Sequence, residues 1–167
     1  MDHIPLMARF NGWVNERLYD SVAGLADDAY REDRGAFFGS IHATLNHLLV
    51  VDRLWTRRIE GAEHGIKALE QILCDDFEPL RAARRDEDAR LVALADRLAV
   101  EGRLEDTITY RRILGSGDQH TRADHILVTL FNHQTHHRGQ VHCMLTQAGV
   151  TPGPWDVIWF LEDLGLS

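Results

Sequence analysis

The chain has 167 residues, 44% of them hydrophobic, and a formal net charge of −8. That size and apolar content suit one folded domain, residues 1–167, and exclude a disordered chain. The acidic balance argues against nucleic-acid binding, which needs a basic face. The densest basic run, RAARR at Arg81–Arg85, is followed at once by DEDAR and reads as a solvated helix face of mixed charge. Two distant cysteines, Cys74 and Cys143, make no disulfide framework, so a reducing cytoplasm is the expected compartment. The opening MDHIPLMARF is no secretory signal, and no apolar run approaches the roughly 20 residues that span a bilayer.

Taken in chain order, the first helix is expected from about Pro5 to Leu25. Leu6, Phe10, Trp13, Val14, Leu18 and Val22 recur there at three- and four-residue steps. ADDAYREDRGAFFG is a connection. The second helix starts at Ser40, a good N-cap, carries Ile41, Leu45, Leu48, Leu49, Trp55 and Ile59, and stops at Gly61. GAEHGIKALEQILCDD reads as a loop with one short helix. A third long helix runs from about Phe77 to Ala99, with Pro79 in its first turn and Gly102 just past its end. TITYRRI, rich in β-branched and aromatic residues, precedes the turn signal GSGD, so this stretch is an irregular or short-strand excursion. The fourth long helix begins at Thr121 or Ala123 and ends at Gln147, before Gly149. TPGP then breaks the chain, and WDVIWFLEDL forms a short final helix across the bundle. Four long amphipathic helices predict an all-α four-helix bundle; periodicity alone leaves its topology open.

Four histidines crowd the stretch LFNHQTHHRGQVH, Leu130–His142. On the stripe Ile126, Leu130, His133, His137, Val141 and Met144, two of them stand where a bundle helix ordinarily carries leucine. Their i, i+4 spacing makes their side chains neighbours. His136 lies about 100° around from His137, and His142 on another face. Two inward imidazoles are either core histidines bonded to other side chains or ligands of a divalent metal, which neutral imidazole suits. The zincin pattern is absent, because Gln134 stands where its glutamate would be. For a third ligand His47 is the best candidate: it is mid-helix on a largely apolar face, with Val50, Val51 and Leu54 nearby. His42 and His120 lie near helix ends, as does His125, and His3 and His64 fall in terminal or loop sequence.

FFGSIHATLNHLLVVDRLW together with NHQTHHRGQVHCMLTQAG resembles the DinB family of metalloenzymes, as do ARFNGWVNERLYDSVAGL and the late ED pair. The likeness covers essentially the whole chain. It implies an up-down-down-up bundle, often dimeric, holding one metal on three histidines, which carry over to His47, His133 and His137. It also implies kinship with S-transferases and an isomerase that use small thiols such as mycothiol, bacillithiol or glutathione.

The expectation is therefore a metal-dependent enzyme that activates a small thiol, or water, and acts on a small molecule as a homodimer, without nucleic acid or membrane. Zinc or nickel is the first choice of ion, iron or manganese the next. The alternatives are a hydrolase on the same site or a non-catalytic metal-binding bundle. Three ligands are one short of a closed structural zinc site, and a di-iron centre would need Glu-x-x-His pairs that are missing. Catalytic residues stay unassigned. Asn11, Asn46 and Asp52 are either partners that fix a histidine tautomer or plain bundle polar residues. Cys143 reads as a small buried hydrophobe, Arg138 as half of a surface salt bridge, and Trp13, Trp55 and Trp159 as core. Leu6, Trp159 and Phe160 are candidates for the dimer surface.

Overall fold

The computed structural model describes residues 3–113 and 115–166. Four long helices dominate: α1 (His3–Val22), α3 (Ile41–Glu60), α4 (Phe77–Val100) and α5 (Ala123–Gln147). Short α2 (Asp27–Arg31) lies in the first connection, where no helix was expected, and α6 (Val157–Asp163) closes the chain. The expected excursion is an antiparallel hairpin, β1 (Thr107–Arg111) and β2 (Asp118–Arg122), with Thr107 opposite Arg122 and Arg111 opposite Asp118. The short helix expected between Gly61 and Asp76 does not form; that stretch is irregular. Among the described residues no helix is long and apolar enough to cross a membrane.

Local signals set the helix ends. The Ser40 hydroxyl accepts the Ala43 N–H at 3.1 Å, and Gly61 takes the left-handed conformation that lets its N–H close the last turn of α3. Side-chain pairs give the directions. Arg9 meets Asp96 while Asn15 meets Asp88, so α1 and α4 run antiparallel. Asp52 meets Arg84 and Glu60 meets Arg90, so α3 and α4 run parallel. At one end Ile4 and Ile59 pack with Ala123 and Leu127; at the other, Leu18 and Leu45 pack with Val141 and Met144. Helix α5 is thus parallel to α1 and antiparallel to α3. The bundle is up-down-down-up, as the resemblance implied.

Between the two apolar ends lies a charged layer. Arg84, only 2% exposed, sits with its guanidinium 2.8 Å from Asp52 Oδ2 and 3.0 Å from Asp88 Oδ1. Asn11 and Asn15 donate to Asp88, Gln134 donates to Asp52 at 2.6 Å, and Arg138 donates to Asn11 and Asn15. All four long helices contribute. Three expectations are corrected here. Arg84, Glu87 and Asp88 are buried, so RAARR-DEDAR is not wholly a solvated face; only residues such as Arg85 and Asp86 are exposed. Arg138 is buried among amides. Cys143 is exposed, because it points away from the face that carries Arg138 and Val141.

The C-terminal helix lies against α1. Phe160 is buried against Phe10 and Trp13, while Asp163 accepts from Trp13 and Arg17. Trp13, expected in the core, is half-buried, and Trp159, expected both as core and as a partner surface, is exposed; of the other residues read as that surface, Leu6 is half-buried and Phe160 is buried.

Replacing Arg84 by Met leaves Asp52 and Asp88 buried without their shared counter-charge, and should destabilise the fold by about 3–5 kcal/mol. Arg85→Met, which removes an exposed charge one residue on, should unfold close to wild type. Urea unfolding of both variants measures the contrast.

Candidate metal centre

The middle of α3 and the middle of α5 face each other across the bundle and bring His47, His133 and His137 together. One ring nitrogen from each lies within 4.8 Å of the others. His47 Nε2 and His133 Nε2 are 3.0 Å apart, and the three ring centroids are separated by 4.4–4.9 Å. Two nitrogens on a tetrahedral ion with bonds of about 2.0–2.1 Å stand about 3.3 Å apart. The His47–His133 pair is close to that spacing, and His137 completes the set within 4.8 Å.

The outer ring nitrogens show which atoms are free. His47 Nδ1 lies 2.8 Å from the Leu69 carbonyl, so it carries the proton and donates; Nε2 then offers its lone pair to the cluster. His137 Nδ1 donates to Gln140 Oε1 at 2.8 Å, with the same result. Gln140 reaches that position because it is one turn on from His137. The Leu69 carbonyl belongs to the irregular stretch after α3, which Asn46 holds: its Oδ1 accepts from the backbone of Leu73 and Cys74, and its Nδ2 donates to the Cys74 carbonyl. Asn46 therefore reaches His47 through the backbone, whereas Asn11 and Asp52 belong to the charged layer. His133 Nδ1 is buried with no hydrogen-bond partner among the described residues. Such a donor set, neutral and converging, fits a borderline divalent ion.

Burial pushes His47 down to about 4, against the pull of its bond to Leu69. Burial, then the neighbouring imidazoles, push His133 down to about 3. Burial also lowers His137, opposed by Gln140. All three are neutral at pH 7 and ready to ligate.

Phe38, from the connection before α3, lies flat on His47 with centroids 3.9 Å apart and touches His137 at 5.5 Å. It screens one flank. The other flank opens into a cavity of about 350 Å³ with His47 and His133 in its floor. Val51, Leu54 and Leu69 form apolar walls, and Tyr110 and Ile113 reach over from the hairpin. Trp55, expected in the core, is a half-buried wall of this cavity with its ring edge-on to Tyr110 at 4.9 Å.

The remaining histidines lie apart from the cluster. His136 is exposed and only touches the His137 ring at its edge; His142 stacks edge-on against Trp155. His42 is buried but bonds the Cys74 carbonyl, His64 accepts the Ile66 N–H, and His120 pairs with Thr109 on the hairpin. Sequence reasoning missed Phe38, Gln140 and the Leu69 carbonyl. Gln140 was within reach as the residue one turn beyond His137; a backbone carbonyl in a loop leaves no signal in the sequence.

A family model described as "DinB family" matches residues 1–164. "Protein DinB" of Bacillus subtilis (strain 168) is 25% identical over 155 residues, covering 88% of this chain and 87% of that protein.

The depressed imidazoles carry a pH signature. From the ordinary value of 6.5 downward, the unfolded chain takes up protons that the folded cluster refuses. Chelator-treated protein should therefore lose stability as pH falls from about 6.5 toward 4. His47→Ala should show a shallower loss across that window in urea unfolding; equal slopes would mean the cluster is not held neutral.

Proposed function

The chain belongs to the DinB family, and from that premise we propose that His47, His133 and His137 bind one divalent metal ion and present it to a small thiol for transfer to an electrophilic small molecule. The observation that carries this reading is the convergence of three neutral imidazoles beside an apolar cavity, with outer partners on His47 and His137 that fix which nitrogen faces inward. Zinc and nickel suit this donor set best, iron and manganese next.

A divalent ion held by three neutral ligands keeps its full charge and lowers the pKa of a thiol or water that reaches its open side. The protein's own part is positional. The Leu69 carbonyl and Gln140 hold two rings in the ligating tautomer. Phe38 screens one flank, so an incoming group approaches from the cavity. The apolar walls keep water scarce around the reacting atoms and hold the electrophile. No carboxylate lines the cavity among the described residues. That favours a nucleophile that needs no separate general base, hence thiol transfer ahead of hydrolysis.

Elemental analysis across alanine variants tests the site. His47→Ala, His133→Ala and His137→Ala should each lose most of the bound metal, and His136→Ala and His142→Ala should keep it. The reverse order for His133 and His136, or a wild type that cannot be loaded, would end the reading. The open position has its own check: 2-mercaptoethanol should change the visible spectrum of the cobalt-loaded form, and an unmoved spectrum would mean a fourth protein ligand. Asn46→Ala, which frees the strip bearing the Leu69 carbonyl, should weaken metal binding roughly tenfold, as loss of outer partners does; competition with a chelator gives the affinity.

A further inference from the structure

Arginines in this acidic chain are nearly all tied to carboxylates: Arg9 to Asp96, Arg17 to Asp163, Arg81 and Arg85 to Glu16, Arg84 to Asp52, Arg122 to Asp124. Among the described residues only Arg58, Arg112 and Arg138 have no carboxylate within ion-pair distance. Arg138 is deep in the bundle, bonded to Asn11 and Asn15. The other two line the cavity that opens beside His47 and His133.

Their placement is built. The Arg58 guanidinium lies 4.7 Å from the ring centres of both Trp55 and Tyr110, and its Nη2 donates to the Arg111 carbonyl. Contact with both aromatic rings, whose planes are 82° apart, holds the guanidinium in place without neutralising it. Arg112 follows directly on β1, and its backbone neighbour Arg111 anchors Arg58, so hairpin and helix bring the two cations to one chamber. Two positive charges over a floor of neutral imidazoles, in a chain of net charge −8, make this chamber a local exception to the surface around it. Cavities lined by one sign of charge concentrate ligands of the opposite sign.

We infer that Arg58 and Arg112 bind the carboxylate of a small organic acid whose apolar body fills the space between Trp55, Leu54 and Leu69, with the histidine cluster at its other end. The anion contact stands on the arginines themselves; only the statement that chemistry happens at the far end rests on the metal reading above. A planar guanidinium matches a carboxylate with paired N–H donors. The modest volume, about 350 Å³, and the mainly apolar walls suit a compact acid with a hydrophobic body better than a nucleotide or a sugar phosphate.

The probe is 3-phenylpropionate, titrated calorimetrically into zinc-loaded and chelator-treated protein, with 3-phenylpropan-1-ol as its neutral counterpart. The acid should bind wild type more tightly than the alcohol. Arg112→Gln, at an exposed position that the fold does not need, should weaken the acid severalfold. Arg58→Gln with Arg112→Gln should weaken it roughly tenfold or more and leave the alcohol unchanged. Arg85→Gln, which removes one charge elsewhere, should match wild type. Unchanged acid binding in the double variant, equal weakening by Arg85→Gln, or no acid binding to wild type at millimolar concentration would each overturn the inference. If acid binding disappears with the metal but survives both arginine substitutions, the carboxylate sits on the ion: this inference falls and the metal reading stands. If the protein takes up no metal yet binds the acid through the arginines, the inference stands and the metal reading falls.

Discussion

Four helices meet around the buried guanidinium of Arg84. Arg84 stands between Asp52 and Asp88, and amides from α1 and α5 complete the layer. Greasy surfaces can slide past one another by a turn at modest loss, but directional bonds between buried polar groups cannot, because slippage strands them without partners. The bond from Gln134 to Asp52 ties α5 to α3 at one register. His133 is the residue before Gln134, and His137 the residue before Arg138, so the ties that fix the charged layer also fix the rotation of α5. With that rotation set, His47 meets two imidazoles from across the bundle.

The up-down-down-up arrangement makes parallel neighbours of α3 and α4, and parallel helices cannot be joined by a tight turn. The long connection this requires, and the two that join antiparallel neighbours, do more than link helices. The segment after α3 supplies the carbonyl that orients His47, the one before α3 supplies Phe38, and the hairpin before α5 supplies the far side of the cavity. Helices provide the nitrogen donors; irregular chain provides what surrounds them.

Much of this was legible in the sequence. Helix starts and stops at Ser40, Gly61 and Ala123 follow from capping chemistry and periodicity, and the facing of His47, His133 and His137 follows from helical spacing. The charged layer was misread because composition rules treat arginine and aspartate as surface residues. Yet α4 carries its own clue: stepping from Leu80 to Leu91 by threes and fours passes through Arg84, Glu87 and Asp88, a charged gap in an otherwise apolar stripe. Asn11 and Asn15 make the matching gap in α1. Complementary gaps on two helices signal a buried pair, but recognising them requires knowing which helices are neighbours. His133 proved half-buried where His137 is buried, since the inward face of α5 centres on Gln134 and Arg138 rather than on the histidines.

The hairpin has a consequence for how such a protein can diversify. Its strands enter and leave the bundle at Thr107 and Arg122, paired with each other, and Ile113, just past β1, packs back against Val50 and Leu54 of α3. The hairpin residues that line the cavity, Tyr110, Arg112 and Ile113, take no part in the charged layer or the histidine cluster, and surface loops tolerate exchange well. The cavity's roof can thus be rebuilt while its histidine floor stays fixed. Selection can tune what fits inside by editing one short ribbon, while the stability rests chiefly on the four long helices.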